Sequence, residues 1–172
     1  GAPLVPIGDA YLFNEYDACL NLGGFANITL LNQAEVKAFD IAPANLPLNY
    51  LMNDLGKLYD ENGSHGRNGK VNKELLAKLD AIPFYSKSAP KSLGTEWLEK
   101  EFRPLYKSIN DPLRTLYQHI SNQVSKVLNE SRVTSVLVTG GGAFNTFLIE
   151  FISISILQIK YKIGVKTFKI RN

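Results

Sequence analysis

The chain has 172 residues, of which 45% are hydrophobic and 20% charged, a composition typical of an ordinary globular domain. Its net charge of +3 originates at the end of the chain: residues 151–172 hold five basic and no acidic side chains, and residues 1–150 hold 14 basic and 16 acidic ones. This balance argues against a nucleic-acid-binding protein. The lone Cys19 excludes an intrachain disulfide and favours a reducing cytoplasm, and no apolar run is long enough to predict a membrane span.

The first predicted elements are three strands and a helix. Residues 18–31 alternate in polarity around Gly23-Gly24 and predict a hairpin, and residues 35–39 predict a third strand. For the helix that follows we predict Asn45 as the N-cap and Gly56 as the terminator. Its apolar face is predicted to consist of Leu48, Leu51, Met52 and Leu55.

The second half of the chain alternates helices and strands. Residues 61–70 predict a loop, and Asn72 is expected to cap a short helix. The clearest helix is residues 111–130, with Asp111 as its cap and Pro112 in its first position. The remaining predicted elements are a buried strand at 133–138, a helix after the glycine run, and a last strand at 156–163.

This order of elements predicts an α/β fold. Three antiparallel strands followed by alternating helices and strands indicate a mixed sheet with helices on both faces. Ribonuclease H-like domains, from which actin-like and sugar-kinase-like ATPases are built, share that order. We therefore expect a ribonuclease H-like (actin-like ATPase) domain.

Two glycine turns are the strongest candidates for ligand contact. Gly23-Gly24 suits either a tight turn or backbone contact with a phosphate. The run Gly140, Gly141 and Gly142 lies between a strand and a helix, where it allows either ligand contact or close packing of the two elements. Neither a dinucleotide-binding fingerprint nor a P-loop is present. In the actin-like nucleotide fold, a hairpin glycine turn contacts the terminal phosphates and a later glycine pair after a strand contacts the adenosine. The likeness of the two turns to that arrangement favours a nucleotide.

Polar side chains elsewhere allow two interpretations each. Asp40 suits either an indirect contact with Mg²⁺ or a substrate hydroxyl, or a turn leading into the helix. Lys91, Ser92 and Glu96 lie beside the only tryptophan, an arrangement that suits a sugar site but also a surface loop. His65 and His119 have no neighbours at metal-ligand spacing, so no direct metal site is predicted.

Several segments, taken together and in order, resemble the anhydro-N-acetylmuramic acid kinase family. They include "LNLGGFANIT", "FDIAPAN", "PKSLGTEWL" and "VTGGGAFNTFLIE", and the similarity runs from Gly1 to about Glu150. The resemblance implies a member of the actin-like ATPase and sugar kinase superfamily. It further implies hydrolysis of the anhydro ring of 1,6-anhydro-N-acetylmuramic acid coupled to phosphorylation from ATP, giving N-acetylmuramic acid 6-phosphate in cell-wall recycling.

The resemblance also implies roles for particular residues, with ATP and Mg²⁺ as cofactors and an amino sugar as substrate. The ATP-binding residues would be Gly23, Gly24, Asn27, Gly140, Gly141, Gly142 and Asn145. Asp40 and Asn45 would hold Mg²⁺ or orient the substrate. The substrate side would include Lys91, Ser92 and Glu96.

Two features depart from the family pattern. The family's phosphate loop and its general base are missing, so no catalytic residue is assigned and the base is expected upstream of Gly1. Residues 151–172 do not resemble the family's ending. We therefore expect a C-terminal lobe, inactive alone and a candidate homodimer. Its expected parts are an inter-lobe segment at 1–17, the domain at 18–163 with an irregular insert at about 60–110, and a basic tail at 164–172. The alternative is a non-catalytic actin-like nucleotide-binding or scaffolding module.

Overall fold

Strands form one mixed sheet in the computed structural model of the chain, which describes residues 15–32, 35–156 and 159–164. The strands are β1 (Ala18–Leu22), β2 (Phe25–Leu30), β3 (Lys37–Pro43), β4 (Ser135–Thr139) and β5 (Lys160–Ile163). Their order across the sheet is β3-β2-β1-β4-β5. The first three strands pair antiparallel, and β4 pairs in parallel with β1 and β5. The predicted α/β class with an antiparallel three-strand start is confirmed.

Helices fill the two long connections of the sheet. They are α1 (Asn45–Asp54), α2 (Ser64–Asn68), α3 (Lys73–Asp80), α4 (Thr95–Trp97), α5 (Arg103–Tyr106), α6 (Leu113–Glu130) and α7 (Thr146–Ser155). Short 3₁₀ turns lie at Glu61–Gly63, Pro83–Ser86 and Gly141–Phe144, and a π-helical turn at Leu98–Phe102 joins α4 to α5. No helix within the described ranges has the length and apolar character that crossing a membrane requires.

The core lies between the sheet and helices α6 and α7. Alternate residues of β1 and β4, including Leu20 and Val138, face Leu128 of α6 and Ile149 of α7. Each such buried aliphatic side chain contributes about 1.5–3 kcal/mol to folding. Side chains on the opposite face of the sheet are also buried, among them Cys19, Thr29 and Leu137. Cys19 is therefore a core residue.

Two predicted helix caps are wrong and one is right. Helix α1 begins at Asn45 itself, whose side-chain amide donates a hydrogen bond to the carbonyl oxygen of Leu22 (3.0 Å) instead of capping the helix. Helix α6 begins at Leu113, and Asp111 lies outside it with a left-handed backbone (φ 47°). Asn72 does cap α3, since its side chain accepts the N–H of Leu75 at 3.0 Å.

Strand β3 and helix α1 also differ from prediction in detail. Strand β3 runs to Pro43, so Asp40 lies within it and does not end it. Helix α1 ends before Gly56, which has a left-handed backbone (φ 71°) and acts as the predicted terminator. Leu48 and Met52 are buried as predicted, but Leu55 is 61% exposed. The apolar face of α1 is therefore shorter than the sequence indicates.

The predicted loop at 61–70 contains the short helix α2. Two of its glycines are buried, and a Cβ on Gly66 would lie 2.3 Å from the ring of Tyr117. A Cβ on Gly63 would lie 2.5 Å from Phe147 Cβ. These glycines therefore let the insert approach α6 and α7 closely, and the loop prediction is wrong because it treated them as turn residues only.

His119 forms a buried polar cluster with Asp80 and Tyr85. Its Nδ1 lies 2.6 Å from Asp80 Oδ1, and its Nε2 lies 2.8 Å from the Tyr85 hydroxyl. Because a carboxylate only accepts hydrogen bonds, Nδ1 carries the proton and Nε2 accepts from Tyr85. Burial lowers the pKa of His119 and outweighs the opposing effect of Asp80. His119 is thus a packed, neutral residue.

The pKa of His119 predicts loss of stability on acidification. The unfolded chain takes up a proton near the ordinary histidine pKa of about 6.5, whereas the folded chain does so only at lower pH. Between these values the unfolded state binds more protons, so the free energy of unfolding falls as pH falls. We expect chemical denaturation between about pH 7 and pH 5 to show this slope in the wild type and a shallower one in His119→Gln. Equal slopes in the wild type and in His119→Gln would contradict the assignment.

Candidate functional site

The hairpin turn and the start of α1 form one hydrogen-bonded unit. The N–H groups of Ala44 and Leu46 donate to the carbonyl oxygen of Gly24, at 2.8 and 3.2 Å. The N–H of Asn45 donates to the carbonyl oxygen of Gly23 at 3.1 Å. These bonds satisfy donors that a helix N-terminus otherwise leaves unpaired. The hairpin therefore caps α1, which is a role that the sequence did not indicate.

Gly24 also lets this unit pack closely. A Cβ on Gly24 would lie 2.9 Å from Leu46 Cγ, closer than real Cβ atoms approach other atoms. The tight-turn interpretation and the phosphate-contact interpretation are compatible here, because packing uses the side-chain direction and phosphate contact would use the backbone. Asn27 lies beside this turn on β2, where it pairs with Asn21 of β1.

Two of the three glycines at the later turn pack against the end of β1. Gly140 has a left-handed backbone (φ 85°), and a Cβ there would lie 2.7 Å from the carbonyl oxygen of Leu22. A Cβ on Gly142 would lie 2.8 Å from Leu22 Cβ. Close packing, one of the two interpretations of this run, is therefore correct for Gly140 and Gly142.

Gly141 differs from its neighbours because it faces open space. The nearest atom to a Cβ built there is Asn45 Nδ2 at 3.6 Å, an ordinary contact distance. Gly141 lines a cleft of about 530 Å³ together with Asn45 and Asn145. The structure thus brings the hairpin, the start of α1 and the glycine turn to one end of the sheet, where the cleft opens.

The lining of this cleft suits an uncharged group. Its other described residues are Leu48, Asn49, Tyr59, Asp60, Glu61, Asn62, Tyr117, Gly142 and Phe144. Two of them are acids and none of those described is a lysine or arginine. Phosphate groups bind where cations or backbone N–H groups converge, and the described lining supplies no cation.

A buried carboxylate and a buried hydroxyl connect the insert to the glycine turn. Asp60, only 4% exposed, accepts the N–H groups of His65 and Gly66, both at 2.9 Å. The Tyr117 hydroxyl donates to Asp60 Oδ2 (3.1 Å) and accepts from Asn145 Nδ2 (2.7 Å). Burial, more than the nearby Asp60 carboxylate, raises the pKa of Tyr117, so the phenol keeps its proton.

Sequence patterns did not reveal this network, because its members are far apart in the chain. Only Asn145 carried a local signal: it precedes the helical pattern by one position, and its side chain accepts the N–H of Leu148 as an N-cap (3.1 Å). Asn145 is thus a helix cap and a cleft residue at once.

We predict that Asp60→Ala lowers the free energy of unfolding by about 2–4 kcal/mol, because it leaves the buried N–H of Gly66, the partly buried N–H of His65 and the Tyr117 hydroxyl without their acceptor. Denaturant titration followed by circular dichroism measures this change. The adjacent Glu61 is exposed, so Glu61→Ala is the matched control and should change stability by less than about 0.5 kcal/mol. Equal losses in both variants would show that the network is not the cause.

Asp40 is not among the described residues that line the cleft beside Gly141. Asp40 Oδ2 accepts the N–H of Leu93 at 2.7 Å, and the Asp40 N–H donates to the carbonyl oxygen of Lys91 at 3.0 Å. Asp40 therefore fastens residues 91–93 to β3. The predicted contact of Asp40 with Mg²⁺ or substrate stays a prediction, and no cluster of three candidate metal ligands occurs within the described parts of the chain.

The substrate-side residues predicted at 91–96 do not line the cleft beside Gly141. Lys91 lines a second cleft of about 520 Å³, with Lys126 and Glu130. Its ammonium lies 4.8 Å from the centre of the Phe84 ring, and burial, followed by the charge of Lys126, lowers the pKa of Lys91. Ser92 and Glu96 are exposed. Their sugar-side roles remain predictions.

The fold and the paired glycine turns define an α/β domain of the ribonuclease H-like, actin-like ATPase class. A solved structure, the activator of the 2-hydroxyisocaproyl-CoA dehydratase from Clostridium difficile with bound ADPNP, has this fold (TM-score 0.53, 13% identity). The likeness covers 92% of this chain and 57% of that one. A family model for anhydro-N-acetylmuramic acid kinase matches residues 1–166, and the chain belongs to that family.

Curated relatives agree with this membership. Anhydro-N-acetylmuramic acid kinases from Sulfurovum sp. (strain NBC37-1) and Idiomarina loihiensis are 34% and 36% identical to it over 161 and 163 residues. The protein of the same name from Sulfurimonas denitrificans is 31% identical over 177 residues, which cover 93% of this chain. The chain spans only 44–48% of the length of these three relatives.

Proposed function

We propose that the chain is the ATP-facing, C-terminal lobe of a kinase that hydrolyses and phosphorylates 1,6-anhydro-N-acetylmuramic acid. The product would be N-acetylmuramic acid 6-phosphate, formed during peptidoglycan recycling. The observation that most supports this role is the open Gly141 at a cleft whose described lining has no lysine or arginine, beside a second glycine turn. The family membership supplies the chemistry of the substrate.

The two turns would divide the nucleotide between them. In this proposal the backbone at Gly23 and Gly24 faces the ATP phosphates, with Asn27 beside it. The turn from Gly140 to Gly142, with Asn145, receives the adenosine, because Gly141 leaves room there and the described cleft residues include no positive charge. Helix α7 adds the positive end of its dipole nearby, a contribution of about 0.3–1 kcal/mol.

The remaining groups of the reaction would come from the half of the relatives that this chain does not match. Attack of water on the anomeric carbon needs a general base within hydrogen-bond reach. We assign neither that base nor a phosphate loop to the chain. Mg²⁺ would be held jointly by both halves, with Asp40 and Asn45 as the candidates on this side. A cytoplasmic location and a homodimer are part of the same proposal.

A complementation experiment tests the proposed function. The chain alone, given ATP, Mg²⁺ and the anhydro sugar, is expected to form no ADP above background. Fused after the N-terminal half of the Sulfurovum relative, it should form ADP and N-acetylmuramic acid 6-phosphate in equal amounts. Sugar-dependent ADP formation by the chain alone would contradict the assignment of the base to the other half.

The alternative is a non-catalytic actin-like nucleotide-binding or scaffolding module. This alternative predicts that every fusion protein binds nucleotide without turnover. That includes a fusion protein in which the Gly23–Gly24 hairpin is replaced by the hairpin of the relative. Turnover in the first fusion would exclude it.

A further inference from the structure

Two large aromatic side chains are exposed on the same cleft. Tyr59 is 60% exposed and Phe144 is 58% exposed, and both line the 530 Å³ space beside Gly141. Aromatic rings of this size normally dominate cores and interfaces because of the apolar area that they bury. Their exposure at one cleft, with none of its described lining residues basic, indicates a flat, uncharged ligand.

The Tyr117 hydroxyl forms a hydrogen bond with the residue that follows each of the two rings in the chain. Tyr59 directly precedes Asp60, which accepts the Tyr117 hydroxyl, and Phe144 directly precedes Asn145, which donates to that same oxygen. Tyr117 itself is fully buried in α6. The insert and the glycine turn are 85 residues apart at these positions (59 to 144), yet the side chains next to the two rings bond to a single atom. The two segments that carry the rings are therefore held next to each other before any ligand binds.

The rest of the lining can read the edge of a planar ring. Asn49 and Asn62 line the same cleft, and side-chain amides both donate and accept hydrogen bonds. Stacking on aromatic side chains tolerates any base, whereas hydrogen bonds at the ring edge discriminate between bases.

We propose that Tyr59 and Phe144 form the stacking surface for the nucleotide base, and that Tyr117 is the positioning residue that fixes them. This proposal rests on the proposed function, since it names the residues that would select the base at that same site. Purines would bind better than pyrimidines, because their larger rings cover more of the two side chains.

The experiment uses the chain as it is and adenosine as the probe. Adenosine is titrated into ¹⁵N-labelled protein, and the amide signals of residues 59–62 and 141–145 are followed. Tyr59→Ala and Phe144→Ala should each weaken binding by about tenfold, the effect of losing one stacked ring. Tyr59→Phe should keep wild-type affinity. Leu58→Ala is the matched control, because Leu58 is 81% exposed beside Tyr59 but does not line the cleft.

Tyr117→Phe tests the positioning role separately. This variant keeps the ring and removes only the hydroxyl, so residues 59–62 and 141–145 should lose protection from amide hydrogen exchange. Adenosine should bind to it more weakly than to the wild type, and cytidine should bind more weakly than adenosine. Unchanged exchange at 59–62 and 141–145 would overturn that role.

Further outcomes separate this proposal from the function on which it rests. If ATP shifts the signals of residues 23–27 but adenosine shifts none at the cleft, the aromatic surface is overturned while nucleotide binding stands. Wild-type affinity in both alanine variants would overturn it as well. If neither ATP nor adenosine binds to the chain or to its fusion with the relative's N-terminal half, the proposed function fails first.

Discussion

Gly140→Ala is expected to lower the free energy of unfolding by about 2–4 kcal/mol. Two costs combine: a left-handed backbone that alanine adopts poorly, and a Cβ placed 2.7 Å from the Leu22 carbonyl oxygen. That oxygen belongs to a strand in the centre of the sheet, so it cannot move aside cheaply. For a domain of this size the change corresponds to a fall in Tm of about 5–15 °C, measured by thermal denaturation.

Gly141→Ala is the control for this prediction. It adds the same methyl group one position along the turn, where the nearest atom is 3.6 Å away. We expect its Tm to stay within about 2 °C of the wild type. If both variants lose stability equally, the turn is sensitive to any side chain and the packing role of Gly140 is wrong.

Gly141→Leu is expected to weaken the binding of adenosine and ADP alike, by about tenfold or more, with little change in Tm. Gly141 has room for a larger side chain, but that side chain would occupy the cleft which the proposed function gives to the base and ribose. Competition binding measures both affinities, in the chain and in its fusion with the relative's N-terminal half.

The two ligands distinguish the roles of the glycine turns. Should Gly141→Leu weaken ADP but leave adenosine unchanged, the later turn would be a phosphate site and the roles of the two turns would be reversed. Gly24→Ala is a weaker test of the hairpin, because its Cβ would meet the flexible side chain of Leu46 and so affect packing as well as ligand contact.

Local patterns in the sequence predicted the framework of the fold. The hairpin around Gly23-Gly24, the cap at Asn72 and the amphipathic helix ending at Glu130 depend on neighbours in the chain, and all three are present. Such features can be predicted because the residues that form them lie within a few positions of one another.

Features that depend on distant partners could not be predicted in this way. Asparagine is a common helix N-cap, but the side-chain amide of Asn45 bonds to Leu22, which is 23 residues earlier. Asp60 and Tyr117 are 57 residues apart, and nothing near either one indicates the other. The glycines of the insert suggested a loop. Gly66 instead lies in helix α2, where the ring of Tyr117 leaves no room for a side chain.

The end of β1 has a mechanical consequence for the whole protein. Three segments meet at Leu22: the hairpin that follows it, the Asn45 amide at the start of α1, and the turn that contains Gly140 and Gly142. Each of these segments is held at Leu22 by the chain itself, by a hydrogen bond or by a tight contact, so none of them can shift independently of the other two. We therefore expect the two glycine turns to move as one rigid body when a nucleotide binds. In the proposed nucleotide site, the distance between the two turns would then stay constant.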